Sequence, residues 1–275
     1  MPLAILAYHS HHVVGPGYDA NDHVAFVRDL DLLTDAGWRL VPLAELVRAH
    51  RDGREGRLVA LTFDDGPIYD VEDVVHPAYG LQRGFVGAMR AFAARRPGAQ
   101  PSLHATSFVI ASPEARLAME TSADPRYTWL APGSMGDAWW TPAIESGLLA
   151  IANHSWDHLH PALPSVRHSR DVRGDFTQVA STTDADAQIR DAASAIGRAT
   201  GGRASPFFAY PYGHHNAFLA REYLPSLGDP ICEAAFTCEP RLVDPGDSRF
   251  LLPRLVCGAD WHSPDELVAR LGQGC

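Results

Sequence analysis

Two adjacent carboxylates, Asp64 and Asp65, end an apolar run that begins at Leu58 and stand directly before Gly66 and Pro67. Side chains alternate between the faces of a strand, so neighbouring aspartates point apart unless the chain is already turning. Gly66 and Pro67 supply a turn. Two carboxylates placed there can divide labour, one holding a cation and the other taking a proton; the alternative is a plain turn in which they cap the next segment. Further along, His154 and His158 stand four residues apart. If the turn between them is helical they converge on one cation, and an aspartate from another strand completes a His-His-Asp set with open positions for water and substrate. Zn2+ is the usual occupant of such a nitrogen-rich site, with Co2+, Ni2+ or Mn2+ as other divalent choices. His160 is a substitute for His158 at poorer spacing.

The elements that must position these groups follow from the pattern of apolar residues. Strands are expected at 3–8, 38–41, 58–63, 104–110, 148–152, 207–210, 234–237 and 252–256. Helices are expected from Asn21 or Asp22 to Gly37, over 44–49 and 84–95, from Ser112, from Thr183 or Asp184 to about Ala199, and from Ser263. Alternation of strand and helix implies a parallel sheet with helices outside. His9, Asp64-Asp65, His154/His158 and Tyr212-Gly213 all fall just past the C-terminal ends of strands, where parallel α/β folds and barrels carry their ligand sites. Residues 121–140, rich in Gly, Pro and Trp, are expected to form a long surface loop on that side. Gly15-Pro16-Gly17 sits too far past its strand for a dinucleotide site.

Composition narrows the chemistry. The chain has 275 residues, enough for one large domain, and no repeat or linker divides it. A formal charge of −10 argues against nucleic acid or an anionic membrane as partner. All 23 basic residues are arginine, which removes Schiff-base and phosphate-loop lysines. Cys232, Cys238, Cys257 and Cys275 form no C-x-x-C pair and are expected as small core or terminal residues. The amino-terminal residues lack a basic signal region and no run is long enough to span a bilayer, so a cytoplasmic location is expected.

Thr62-Phe63-Asp64-Asp65-Gly66, His154-Ser155-Trp156-Asp157-His158 and Tyr210-Pro211-Tyr212-Gly213 together resemble three motifs of the polysaccharide deacetylases with NodB homology, carbohydrate esterase family four. The resemblance implies a distorted (β/α) barrel of seven strands, within α/β architecture. It implies that Asp65, His154 and His158 bind the metal, that Asp64 is the general base, and that the Tyr212 backbone N–H, beside Gly213, stabilises the oxyanion. The activity implied is metal-dependent N-deacetylation of a sugar or glycan. The alternatives are hydrolysis of a small linear or cyclic amide on the same scaffold, and a catalytically inactive carbohydrate-binding relative.

Three departures from the family pattern shape the remaining expectations. Ala209 stands where the third motif normally has an arginine that orients the base, and Arg254 is the expected substitute. The family's late L-x-x-H motif, which carries the general acid, is missing near the C-terminus, but Leu6-Ala7-Tyr8-His9 has its spacing. A circularly permuted barrel would bring His9 to the acid position, and amide nitrogen leaves well only when protonated. Residues 67–103 are longer than the family minimum. Trp156, Trp261, Trp139 and Trp140 are candidates for a sugar-stacking wall, and Asp260 with His262 forms a second-choice acid site.

Overall fold

The computed structural model describes residues 2–54, 56–124 and 127–272; Met1, Cys275 and residues 125–126 of the expected loop lie outside the described residues. Its strands are β1 (Leu3–Tyr8), β2 (Arg39–Leu40), β3 (Leu58–Phe63), β4 (Val74–His76), β5 (Gly80–Gln82), β6 (Ala105–Val109), β7 (Leu149–Asn153), β8 (Phe207–Ala209), β9 (Ala234–Phe236) and β10 (Leu255–Val256). The helices are α1 (Asp22–Asp35), α2 (Leu43–Arg51), α3 (Phe85–Arg95), α4 (Pro113–Glu120), α5 (Trp140–Glu145), α6 (Thr182–Ala185), α7 (Asp191–Ala199), α8 (Leu224–Leu227) and α9 (Pro264–Gly272). Seven strands pair in parallel in the order β10-β1-β3-β6-β7-β8-β9, with β2 also on β3. A parallel bridge from Phe236 to Leu252 links the β9 end back toward β10. The result is the distorted, incompletely closed (β/α) barrel of seven strands.

Strands β1, β3 and β6 are buried along their whole length, as parallel strands covered on both faces must be. Leu3 and Ile5, Leu58 and Ala60, Phe108, Ala152, Ala209, Phe236 and Leu252 meet in one buried cluster, which fills the barrel interior. Period-two alternation then fixes what stands above that cluster on the same face. Two residues on from it come Thr62, His154, Cys238 and Arg254; four on from Ala60 and Ile5 come Asp64 and His9.

Several elements differ from expectation for local reasons. The last strand shrinks to Leu255–Val256, because Pro253 has no N–H for the ladder and separates it from Leu252. The helix expected from Thr183 or Asp184 instead starts at Thr182, capped by Ser181, whose Oγ accepts from the Asp184 N–H at 3.1 Å. Between α6 and α7 the helix widens into a π turn over Asp186–Arg190. Residues 67–103 hold the β4–β5 hairpin and α3, the helix that leads from β3 toward β6. Residues 121–140 hold no strand or helix before α5 among the described residues, and 131–133 and 136–138 are exposed, while Tyr127, Leu130, Met135, Trp139 and Trp140 turn inward. No described helix is long and apolar enough to cross a membrane.

Candidate active site

Asp64 continues the inward face of β3, and its carboxylate meets the guanidinium of Arg254 in a two-pronged pair, Nη1–Oδ1 and Nη2–Oδ2 both at 2.7 Å. Arg254 is fully buried. It also donates to Thr62 Oγ1 at 3.3 Å and to the Thr237 carbonyl at 3.2 Å, and it lies over the Phe108 ring. Burial pushes the Asp64 carboxyl up, but Arg254 outweighs it and holds the group at about 2. Ala209 faces the same interior without a long side chain, and Arg254 reaches in from the neighbouring wall.

Asp65 turns away from Asp64 because its backbone is left-handed, with φ 71°. Gly66 follows at φ 74°, and a Cβ there would lie 2.7 Å from Val109 Cγ1, so the turn closes against β6 only with glycine. Asp65 Oδ1 lies 3.7 Å from His154 Nε2 and 3.6 Å from His158 Nε2. Ligand atoms sharing one tetrahedral ion at about 2.0–2.2 Å would stand roughly 3.4 Å apart. Asp65 Oδ1 is buried and has no hydrogen-bond partner, and such an orphaned acceptor needs a cation or other unseen partner. His154 Nδ1 is held by the Ala209 carbonyl at 2.9 Å, which aims Nε2 at Asp65. Among the described residues this trio is the group fit to hold a metal ion, and its two nitrogens and one oxygen suit zinc.

The segment from His154 to His158 is not helical. Ser155, His158 and Leu159 are left-handed, because side chains take the backbone donors a helix would use. The Ser155 N–H donates to Asn153 Oδ1, the His158 N–H to Ser155 Oγ and the Leu159 N–H to Asp157 Oδ1. Carbonyls of the π turn brace the same loop: Gln188 O accepts from the Trp156 N–H at 2.7 Å and Ile189 O from Asn153 Nδ2 at 2.9 Å. Burial pushes the His158 imidazole down to about 3, so the ring is neutral and ready to ligate near pH 7. Of the six left-handed non-glycine residues described, five (Asp65, Ser155, His158, Leu159 and Tyr212) surround this point, the clustering expected of a functional site.

The trio opens into a cleft of about 330 Å³ whose walls include His9, His11, Tyr127, His160, Tyr212 and Asp260. His9 directly follows β1, the strand between β10 and β3, and its N–H donates to Asp22 Oδ2 at 2.7 Å. The Tyr212 ring packs edge-on to His158 at 4.3 Å between centroids. Gly213 contributes conformation rather than a donor. Its N–H is spent on the Tyr210 carbonyl, and a Cβ on it would meet Cys238 at 2.7 Å. Cys238 lines the cleft beside Arg254 rather than filling core; the Ala234-x-Phe236-x-Cys238 alternation is the sequence signal for that. His11 and Tyr127 carried no sequence signal at all.

The expected tryptophan wall does not form. Trp261 is fully buried, with Nε1 donating to the Tyr18 hydroxyl. Trp139 and Trp140 are core residues, and Trp156 carries the Arg167 guanidinium 4.3 Å over its ring. Large aromatic area is worth more inside than out, and at these positions packing partners were available. Asp260 does reach the cleft, while His262 is exposed and pairs with Glu266.

Residues 99–228 match the family model described as polysaccharide deacetylase. Over these residues the chain is similar to that family. The match includes His154 and His158 but begins after Asp64 and Asp65. Solved structures with the same fold include IcaB from Ammonifex degensii (20% identity, TM-score 0.62, covering 98% of this chain and 97% of that one). Another is the Streptococcus pyogenes deacetylase PplD in complex with acetate (18%, 0.62, 98% and 98%). A third is a de-N-acetylase from Aggregatibacter actinomycetemcomitans (17%, 0.59, 94% and 96%). At these identities the likeness concerns the fold. No curated protein sequence matches the chain.

Proposed function

We propose that this chain is a polysaccharide deacetylase, a metal-dependent hydrolase of amide C–N bonds that removes acetyl groups from an N-acetylated sugar or glycan. The observation that carries the reading is the pairing of two unlike carboxylates at one strand end, Asp64 locked on Arg254 and Asp65 turned toward His154 and His158. A divalent ion held by Asp65, His154 and His158 supplies Lewis acidity toward the acetyl carbonyl and makes water more acidic.

Asp64 takes the proton of the attacking water, and Arg254 keeps that carboxylate ionised and fixed in direction until it does. The backbone N–H of Tyr212 donates to the oxygen that gains negative charge at the attacked carbon. His9 delivers a proton to the amide nitrogen as the C–N bond breaks, leaving acetate and a free amine. The position of β1 between β10 and β3 supports His9 in the role that a C-terminal histidine fills in unpermuted relatives. The acetate held by the Streptococcus pyogenes structure is the product this reaction would release.

Metal analysis of the purified protein, followed by acetate release from N-acetylglucosamine oligomers, tests the reading. Bound metal with acetate release is the expected result. Metal without acetate points instead to a small-amide substrate, and neither metal nor turnover points to a binding module. His9→Ala should lower turnover of an amide far more than that of an activated ester, whose leaving group needs no proton; equal losses would remove His9 from the acid role.

A further inference from the structure

The two oxygens of Asp65 have different neighbours. Oδ1 faces His154 and His158, whereas Oδ2 lies 3.6 Å from Nε2 of His11, whose side chain is buried with it. His11 stands outside the trio that can share one ion, so it is not a fourth member of that set. Its ring is fixed from other sides. Tyr127 packs against it with centroids 5.1 Å apart, and His9 meets it edge-on at 5.5 Å. The turn that carries it is pinned as well. His12 N–H donates to the His9 carbonyl, Val13 N–H donates to the His11 carbonyl, and Ser10 Oγ donates to Asp70, which also accepts from Ser107 of β6.

Resting on the metal reading above, we propose that His11 is a positioning residue for Asp65. Its Nε2 stands 3.6 Å from the oxygen that faces away from the metal, and a ring held there limits the rotation of the carboxylate. An unrestrained carboxylate in this turn could swing Oδ1 out of line with the two imidazole nitrogens or present both oxygens at once. Partners that orient a ligating carboxylate are worth about 10–100-fold in metal affinity.

The test compares wild type, His11→Leu (volume kept, donor lost) and His11→Gln (an N–H donor restored). Zn2+ affinity is read by competition with a chromophoric chelator, the electronic spectrum is recorded with Co2+ bound, and Tm is measured for the metal-free proteins. The expected result is a fall in Zn2+ affinity of about 10–100-fold in His11→Leu with an altered Co2+ spectrum, substantial recovery in His11→Gln, and similar metal-free Tm values. Wild-type affinity and spectrum in His11→Leu would overturn the proposal while leaving the metal reading intact. Equal losses in both variants together with a lowered metal-free Tm would reduce His11 to packing and overturn it too. A wild type that binds no Zn2+ overturns the metal reading first and this inference with it. Should His11→Leu not fold, His11→Met takes its place under the same criteria.

Discussion

Asp64 and Asp29 are both carboxylates shut away from solvent near the upper end of β1, yet their surroundings give them opposite characters. Asp64 is gripped by the guanidinium of Arg254 and held at about 2. Asp29, on α1, accepts from the hydroxyls of Tyr8 and Tyr18, and Tyr18 in turn accepts from Trp261 Nε1. Burial raises Asp29 to about 7, and neutral donors only partly offset it. A permanent cation keeps a buried carboxylate charged, whereas hydroxyl groups leave it near the point of holding its proton. The first arrangement suits the proton abstraction proposed above; the second ties β1 to α1 and to the segment after β10.

The sharpest way to break the comparison is Asp64→Asn, which keeps shape and removes the base. Acetate release should fall by about 10²–10⁴-fold, with the fold retained by circular dichroism. Arg254→Met comes next, because it strands a buried charge. Unfolding in urea at pH 7 should show a loss of about 3–5 kcal/mol. In wild type the Asp64–Arg254 contribution is present above the ordinary carboxylate range and is lost as pH falls through about 2. Without the cation the Asp64 pKa rises, so the acid limb of the pH–rate profile should move to higher pH and the stability deficit should shrink as pH is lowered.

Asp29→Asn probes the other carboxylate with the opposite sign. Its folded pKa of about 7 lies above the ordinary 3.8, so its favourable contribution is complete below pH 4 and is lost as pH rises through 7. That contribution is on the order of 4 kcal/mol across the window at most. The Asn variant should therefore show a flatter fall in stability between pH 4 and 7, the remaining slope coming from Asp70, which burial also raises to about 7. Trp261→Phe should have the smallest effect, about 1 kcal/mol for one lost hydrogen bond, with no change in turnover per folded molecule. A large kinetic effect would mean that the network reaches the cleft.

Much of this was legible in the sequence where one force dominates. β1 and β3 fall where their apolar runs do, since strands buried on both faces read as near-continuous apolar runs. Asp64 and His154 come together because each directly follows such a run, and the turns after them bring in Asp65 and His158. Tertiary context hid the rest. The tryptophans at 139, 140 and 261 sit in stretches that read as loop, but packing claimed them. The His154–His158 turn looked helical by spacing, and local side-chain acceptors decided otherwise. His11 was one histidine among fourteen, and only the folded chain shows which carboxylate it meets.

The π turn at Asp186–Arg190 makes chain length part of the chemistry. Each residue removed from a helix rotates everything beyond it by about 100°. Deleting one residue there would let the outer helix run regularly, yet would swing the Gln188 and Ile189 carbonyls off the imidazole-bearing loop. A shortening that improves the helix as a helix would thereby disable the catalyst.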